Sequence, residues 1–300
     1  MDFSEFAHLW VLFSLASAFF HASRLAVTKR LALSFSTEIL TLYVNLASLV
    51  VTLPLVLWHH NFPLHNPDYL MAVLWGGVIS GLGGWSLNAA LHRTEVSLVG
   101  PVMTLTPGFV IVIEWLLTGA LPGSLGVLGV LLLVAGGYIL SLSGDRAGWY
   151  RPLRRLLFDP GSLYATLAAA CFAGASVFGR IGIQLSDPLS FSVMVAVVNP
   201  LVLGILFSLR DRRFLPQLLT PSLRREIRPL LLLGLLFALM RIADQIALSL
   251  TLASYAMAVK RTAGVFSVLL GRWFFAEGFV ATKLAGSAVM LLGVLALTQD

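Results

Sequence analysis

The sequence predicts an all-α membrane protein: ten transmembrane helices in two inverted five-helix repeats. Three observations carry this. Hydrophobic residues make up 58% of the chain and charged residues 11%, against roughly 45–50% and about 25% in ordinary globular domains. The apolar residues fall in continuous runs of about the 20 residues that a hydrocarbon core of about 30 Å requires, without the alternation of a barrel strand. Residues 97–140 also match residues 254–297 without a gap, at a constant offset of 157. In that register Ser97 faces Ser254, Phe109 faces Phe266, Gly129 faces Gly286 and Gly136 faces Gly293.

Ten runs suit a span: 9–28, 37–58, 69–91, 96–118, 123–143, 161–184, 187–209, 229–250, 254–275 and 280–298. The first follows Asp2 and Glu5, where a secretory signal would carry Lys or Arg, so it reads as a retained helix. The basic stretch 146–160 separates a first repeat, 1–145, from a second, 161–300. Five spans per half is an odd number, so the second half enters the membrane from the opposite side and the repeat is inverted. Weaker echoes extend the match. Leu15, Ala16 and Phe20 pair with Leu167, Ala168 and Phe172, and Val44-Asn45 pairs with Val198-Asn199.

Net charge is +6 and the isoelectric point is near 9.9. The arginines gather in two loops between spans, Arg146 to Arg155 and Arg210 to Arg228, a topological pattern and not a nucleic-acid surface. By the positive-inside rule those loops are cytoplasmic and both termini lie outside. The expected location is the cytoplasmic membrane, with the lipid bilayer as surroundings. The single Cys171 lies in an apolar run and reads as a packing residue. Glycines crowd the third and fifth spans, where close backbone approach replaces the missing hydrophobic drive between helices in lipid. The fifth and tenth spans, rich in glycine and charged only at Lys283, are expected outside the cavity or at a homodimer contact. Pro54, Pro101, Pro107 and Pro200 fall inside spans and are expected to kink them or free carbonyls.

Charges inside spans narrow the function. An ionisable group at bilayer depth costs at least about 2.5–3.5 kcal/mol, so it needs a partner, a wet cavity or a role. Lys260 and Arg261 lie early in the ninth span, Lys260 about 9 Å in at 1.5 Å per residue. They read as binding an anion in a central cavity, with structural pairing and snorkelling as alternatives. Arg241 and Asp244 share one face of the eighth span. They either neutralise each other, or Asp244 pairs with Lys260 or Arg261 until substrate or a proton displaces it. Asn88 and Gln245 are repeat equivalents that either bind substrate or join helices, and Asn199 beside Pro200 is a further candidate cavity residue. Glu114, Arg180 and Arg272 lie near helix ends as gating or anchoring groups. Arg24 is expected to snorkel with Lys29 and Arg30, and His21 to take an interface or loop role.

No phosphate-binding loop is present, so this chain does not hydrolyse ATP by that motif. No His-x-x-x-His or Glu-x-x-His pair sits on a span, and no Ser has a convincing His and acid partner. The chain is therefore expected to be no enzyme, with no metal and no cofactor.

The pattern resembles the EamA-type branch of the drug/metabolite transporter superfamily, whose members have ten spans in two inverted halves. The carriers of the resemblance are Leu105-Thr106-Pro107-Gly108-Phe109 through Trp115, and Ala258-Val259-Lys260-Arg261 through Phe275-Ala276-Glu277. Lys260-Arg261 is also similar to a Lys-Arg pair that grips phosphate in plastid sugar-phosphate translocators of that superfamily. The matching lysine of the fourth helix is missing here, the neighbourhood of Met103 being apolar. The resemblance implies a secondary transporter with alternating access for a small, anionic metabolite: an amino acid, an organic acid or a phosphorylated compound. An accessory subunit of a lipid-linked sugar flippase, or a structural membrane subunit, is the alternative.

Overall fold

Helix starts fall where short polar side chains and prolines satisfy the first turn. A computed structural model describes residues 9–58, 62–93, 99, 102–141, 160–212, 214–218, 221–266, 269 and 281–299. Its helices are α1 (Leu9–Leu31), α2 (Thr37–Trp58), α3 (Pro67–Arg93), α4 (Thr106–Thr118), α5 (Ser124–Ser141), α6 (Pro160–Gln184), α7 (Pro188–Arg210), α8 (Pro221–Leu250), α9 (Ala253–Lys260) and α10 (Ala281–Leu297). A one-turn helix, Phe214–Gln217, precedes α8, and no strand occurs among the described residues. Asn66 Oδ1 accepts from the Asp68 N–H at 2.9 Å to open α3. Asp187 Oδ1 accepts from Leu189 and Ser190, both at 2.9 Å, to open α7 ahead of Pro188. At the far end of α4, Gly119 adopts a left-handed φ of 71°, and its N–H donates to the Trp115 carbonyl. That conformation is why a glycine stands there.

Among the described residues five helices are long and apolar enough to cross a membrane: Thr37–Pro54, Pro67–Arg93, Pro160–Gln184, Pro188–Arg210 and Leu223–Leu250. Leu9–Leu25, Thr106–Thr118, Ser124–Ile139 and Ala285–Leu297 are shorter apolar stretches. Two expected spans differ in form. The fourth is not one helix: residues 104–105 form a turn before α4 begins, so Pro107 opens a helix and does not kink one. The ninth breaks likewise after Lys260, with Arg261 and Thr262 donating back to Ala258 and Val259 in three-residue turns. At the offset of 157 those turns are repeat equivalents. The eighth helix starts at Pro221, which makes part of the expected 210–228 loop helical and places Pro229 within a helix. Pro101 and most of the 146–160 stretch lie outside the described residues.

The packing repeats as the sequence does. α3 lies on α6 as α1 lies on α8; α2 meets α8 as α7 meets α3; α4 touches α6 as α9 touches α1. Three pairs join equivalent helices: α2 with α7, α4 with α9, and α5 with α10. Exchanging the halves leaves this set of neighbours unchanged, as a pseudo-two-fold axis requires. Glycines make the α5–α10 contact possible. A Cβ added at Gly129 would stand 2.9 Å from the Gly293 carbonyl oxygen, and one at Gly293 would stand 2.8 Å from that of Gly129. These glycines are thus used within one chain, while Leu128, Leu131, Leu291 and Leu295 remain exposed on the same two helices.

Candidate functional site

Polar residues that share helical faces converge on one cavity. On α1 the face is Ser17, His21, Arg24 and Thr28, at spacings of four, three and four. α2 adds Thr41 and Asn45, α3 adds Ser80 and Asn88, and α7 adds Asn199. α8 contributes Phe237, Arg241, Asp244 and Gln245 along one stripe. Lys260 comes from the last turn of α9, and Arg261 from the break that follows. The cavity that these residues, apart from Ser17, line measures about 130 Å³, well below the roughly 300–1,000 Å³ of sites for drug-sized ligands.

Four cations therefore stand around one carboxylate. Lys260 Nζ donates to Asp244 Oδ2 at 2.5 Å, and the Ser17 hydroxyl donates to Asp244 Oδ1 at 2.5 Å. Arg241 does not pair with Asp244, its neighbour one turn later on the same face. Its Nη2 donates to Asn45 Oδ1 at 3.4 Å, its Nη1 is buried without an acceptor, and its guanidinium carbon lies 4.6 Å from the centre of the Phe237 ring. Arg24 lies against the same ring at 4.6 Å and does not snorkel to an interface. Its Nε, and that of Arg261, are buried with no hydrogen-bond partner among the described residues. His21, expected in a loop or interface role, lines the cavity, and its Nδ1 is also unpartnered. An ion taken out of water needs compensation, and the protein alone supplies one carboxylate here among the described residues.

The amides make the rest of the wall. Asn45 and Asn199, equivalent in the two repeats, meet directly: Asn199 Nδ2 donates to Asn45 Oδ1 at 3.3 Å, and Ser80 donates to Asn199 Oδ1 at 3.1 Å. Asn88 donates to the Thr41 hydroxyl at 2.7 Å. Its counterpart Gln245 keeps a buried Oε1 with no partner. The scaffold is symmetric and the charge is not. Met103 stands at the repeat position of Lys260, and Ser176 at that of Arg24 by the offset of 152 seen for α1 and α6.

Glu114 is elsewhere. It is 1% exposed, pairs with Arg180 Nη1 at 3.0 Å, and accepts from the backbone N–H groups of Ala253 (3.0 Å) and Ser254 (3.2 Å). The N-cap of α9, Leu252, has no side-chain cap of its own, so Glu114 supplies it from α4. This carboxylate fixes the start of the helix whose end carries Lys260. Arg272 lies outside the described residues.

Sequence reasoning missed Arg24, His21, Thr41 and Phe237 as wall residues. The available signal was the shared spacing of polar residues: 17, 21, 24 and 28 on α1, and 41, 45, 48 and 52 on α2.

Comparison with known proteins agrees with this architecture. The model of the EamA-like transporter family matches twice, over residues 8–142 and 159–299. An uncharacterized transporter of Bacillus subtilis (strain 168), YdfC, is 33% identical over 135 residues, 45% of this chain and 40% of that protein. The match thus spans about two-fifths of that relative's length. A solved crystal structure of a protein 19% identical superposes with a TM-score of 0.72, covering 98% of this chain and 97% of the other; the likeness is one of fold. Two family matches in tandem cover nearly all of the sequence: the chain belongs to the EamA-like transporter family of multi-pass membrane transporters.

Proposed function

We propose that this transporter is a secondary carrier of a small anionic metabolite, cycling its central cavity between the two faces of the cytoplasmic membrane. In this reading ten spans form two inverted halves, divided near 146–160, with both termini outside. Lys260 and Arg261 bind the anion, Asn88, Asn199 and Gln245 offer neutral hydrogen bonds, and Asp244 is the coupling acid. The observation that carries the reading is the charge imbalance: Arg24, Arg241, Lys260 and Arg261 line a cavity with Asp244 as their one carboxylate among the described residues. A purely structural subunit would have its buried charges paired, and three of these guanidiniums carry buried nitrogens with no acceptor.

The steps follow from the contacts. With no substrate, Asp244 holds Lys260 and accepts from Ser17. An arriving anion competes for Lys260, and the released carboxylate is then open to a proton. Each state of the cycle keeps Lys260 compensated, which lets the cavity change faces without exposing a bare charge to lipid. The turns after Met103 and Lys260 allow the helices to flex beside the site at equivalent places in both halves.

The test is uptake of labelled amino acids, organic acids and sugar phosphates into proteoliposomes. Some anion on that panel should accumulate with wild-type protein, and Lys260→Ala should abolish its flux while folded protein remains in the membrane. Unchanged flux in Lys260→Ala would remove the pair from the site.

A further inference from the structure

We infer that Arg24 and Arg241 form a second anion subsite on the wall of the cavity that Lys260 and Arg261 also line, so that the transported ligand is a short dianion. This inference rests on the anion-carrier reading and narrows its substrate class.

Asp244 is consumed by Lys260 and Ser17. The charges left over are the three guanidiniums of Arg24, Arg241 and Arg261, none of which forms an ion pair among the described residues. A dianion compensates one more of these cations than a ligand with a single negative charge does. Arg24 and Arg241 are also held as a unit. Each guanidinium carbon lies 4.6 Å from the centre of the Phe237 ring, so the two groups are at most twice that distance apart.

An aromatic face attracts a guanidinium but accepts none of its in-plane N–H groups. The ring therefore fixes both side chains and leaves donors to spare. Arg241 is 5% exposed, and its buried Nη1 has no acceptor; the Arg24 Nε is in the same condition. Planar forks of this kind suit carboxylate, phosphate or sulfate oxygens taken two at a time. Lys260 and Arg261 line the same cavity from the last turn of α9 and the break that follows it. In a cavity of about 130 Å³ that all four groups line, both negative ends must sit on a short skeleton.

The experiment uses purified full-length protein in detergent at fixed ionic strength and pH 7.5. Two matched pairs serve as probes, sulfate against methyl sulfate and succinate against succinamate, and affinity is read by titration of thermal stability. The dianion of each pair should bind the wild type about tenfold tighter or more, the scale of one added charge-assisted contact. Arg24→Gln should bring that ratio close to one, and Arg241→Gln should do the same, which keeps the test intact if either variant fails to fold. Arg24→Lys should recover part of the ratio. A wild-type ratio retained in Arg24→Gln and Arg241→Gln, with Lys260→Gln still weakening both members of a pair, would overturn the second subsite and spare the carrier reading. Failure of all four probes to bind the wild type, or indifference of all four to Lys260→Gln, would overturn both.

Discussion

Asp244 takes the Lys260 ammonium at 2.5 Å from another helix, although Arg241 stands one turn away on its own. The choice matters because it gives the cavity's carboxylate to the residue that ends α9, and leaves the α8 guanidinium for Asn45 and for solvent or ligand. A carboxylate shared with Lys260 can be displaced; one locked to its own helix would be scaffold.

Replacing that carboxylate should therefore free the lysine. Asp244→Asn keeps the shape and removes the competing charge. Anion affinity is expected to rise about tenfold, the scale of one charge-assisted hydrogen bond released. Flux driven by an imposed pH gradient should fall to background, while exchange of internal for external anion persists. Titration of binding alongside the two flux assays checks both halves of this expectation. Weaker binding in Asp244→Asn would mean that Asp244 is a ligand-binding group itself.

The Asn45–Asn199 contact is expected to join α2 to α7 with or without substrate. Asn199→Leu leaves Ser80 only the Gly77 carbonyl and strands one lone pair of Asn45, and should cost about 1 kcal/mol of stability. A double-mutant cycle with Asn45→Leu should return a coupling near 0.6 kcal/mol, the average for hydrogen bonds between membrane helices. Coupling near zero would detach the two side chains from each other.

Glu114 acts on the site from a distance. Glu114→Ala removes the partner of Arg180 and the cap of α9 together, so a loss of about 2–4 kcal/mol is expected, within the range for breaking a buried pair and removing a cap. Glu114→Gln keeps acceptor capacity toward the α9 backbone and should lose less. In a variant that still folds, anion affinity should fall as Lys260 loses its fixed position. Unfolding by denaturant, with anion titration of the surviving protein, measures both. Equal stability of the Ala and Gln variants would rule out the capping role.

At the α5–α10 contact, Gly293→Val would press a branched side chain onto the Gly129 carbonyl, which already stands 2.8 Å from the position of a Cβ. Separation of the helices should cost about 1–3 kcal/mol. Gly108→Ala, with open space beside it, is the matched control and should be close to neutral. Thermal melting of the two variants decides.

Much of this was legible because it follows from periodicity. The duplication at 157 foretold equivalent helices, and the echo of Val44-Asn45 in Val198-Asn199 marked two amides that meet in space. Lys260 and Arg261 stood out because neighbouring charges cannot both reach one interface. Arg24 was hidden by its length: hydropathy places such a side chain near a helix end without saying whether it points outward or inward. Arg241 and Asp244 misled for a related reason, since spacing on one helix shows which groups can touch and not which cross-helix partner competes. The break after Lys260 has no glycine or proline of its own. It mirrors the turn before Pro107, visible only once both halves are folded together.

The most direct measurement is anomalous diffraction from crystals of the full-length protein grown with selenate, a dianion carrying a strong scatterer. The account predicts a selenium peak inside the cavity, within hydrogen-bonding reach of Arg24, Arg241, Lys260 or Arg261, that disappears in Lys260→Gln crystals. Selenium confined to surface arginines, with the cavity empty, would contradict it.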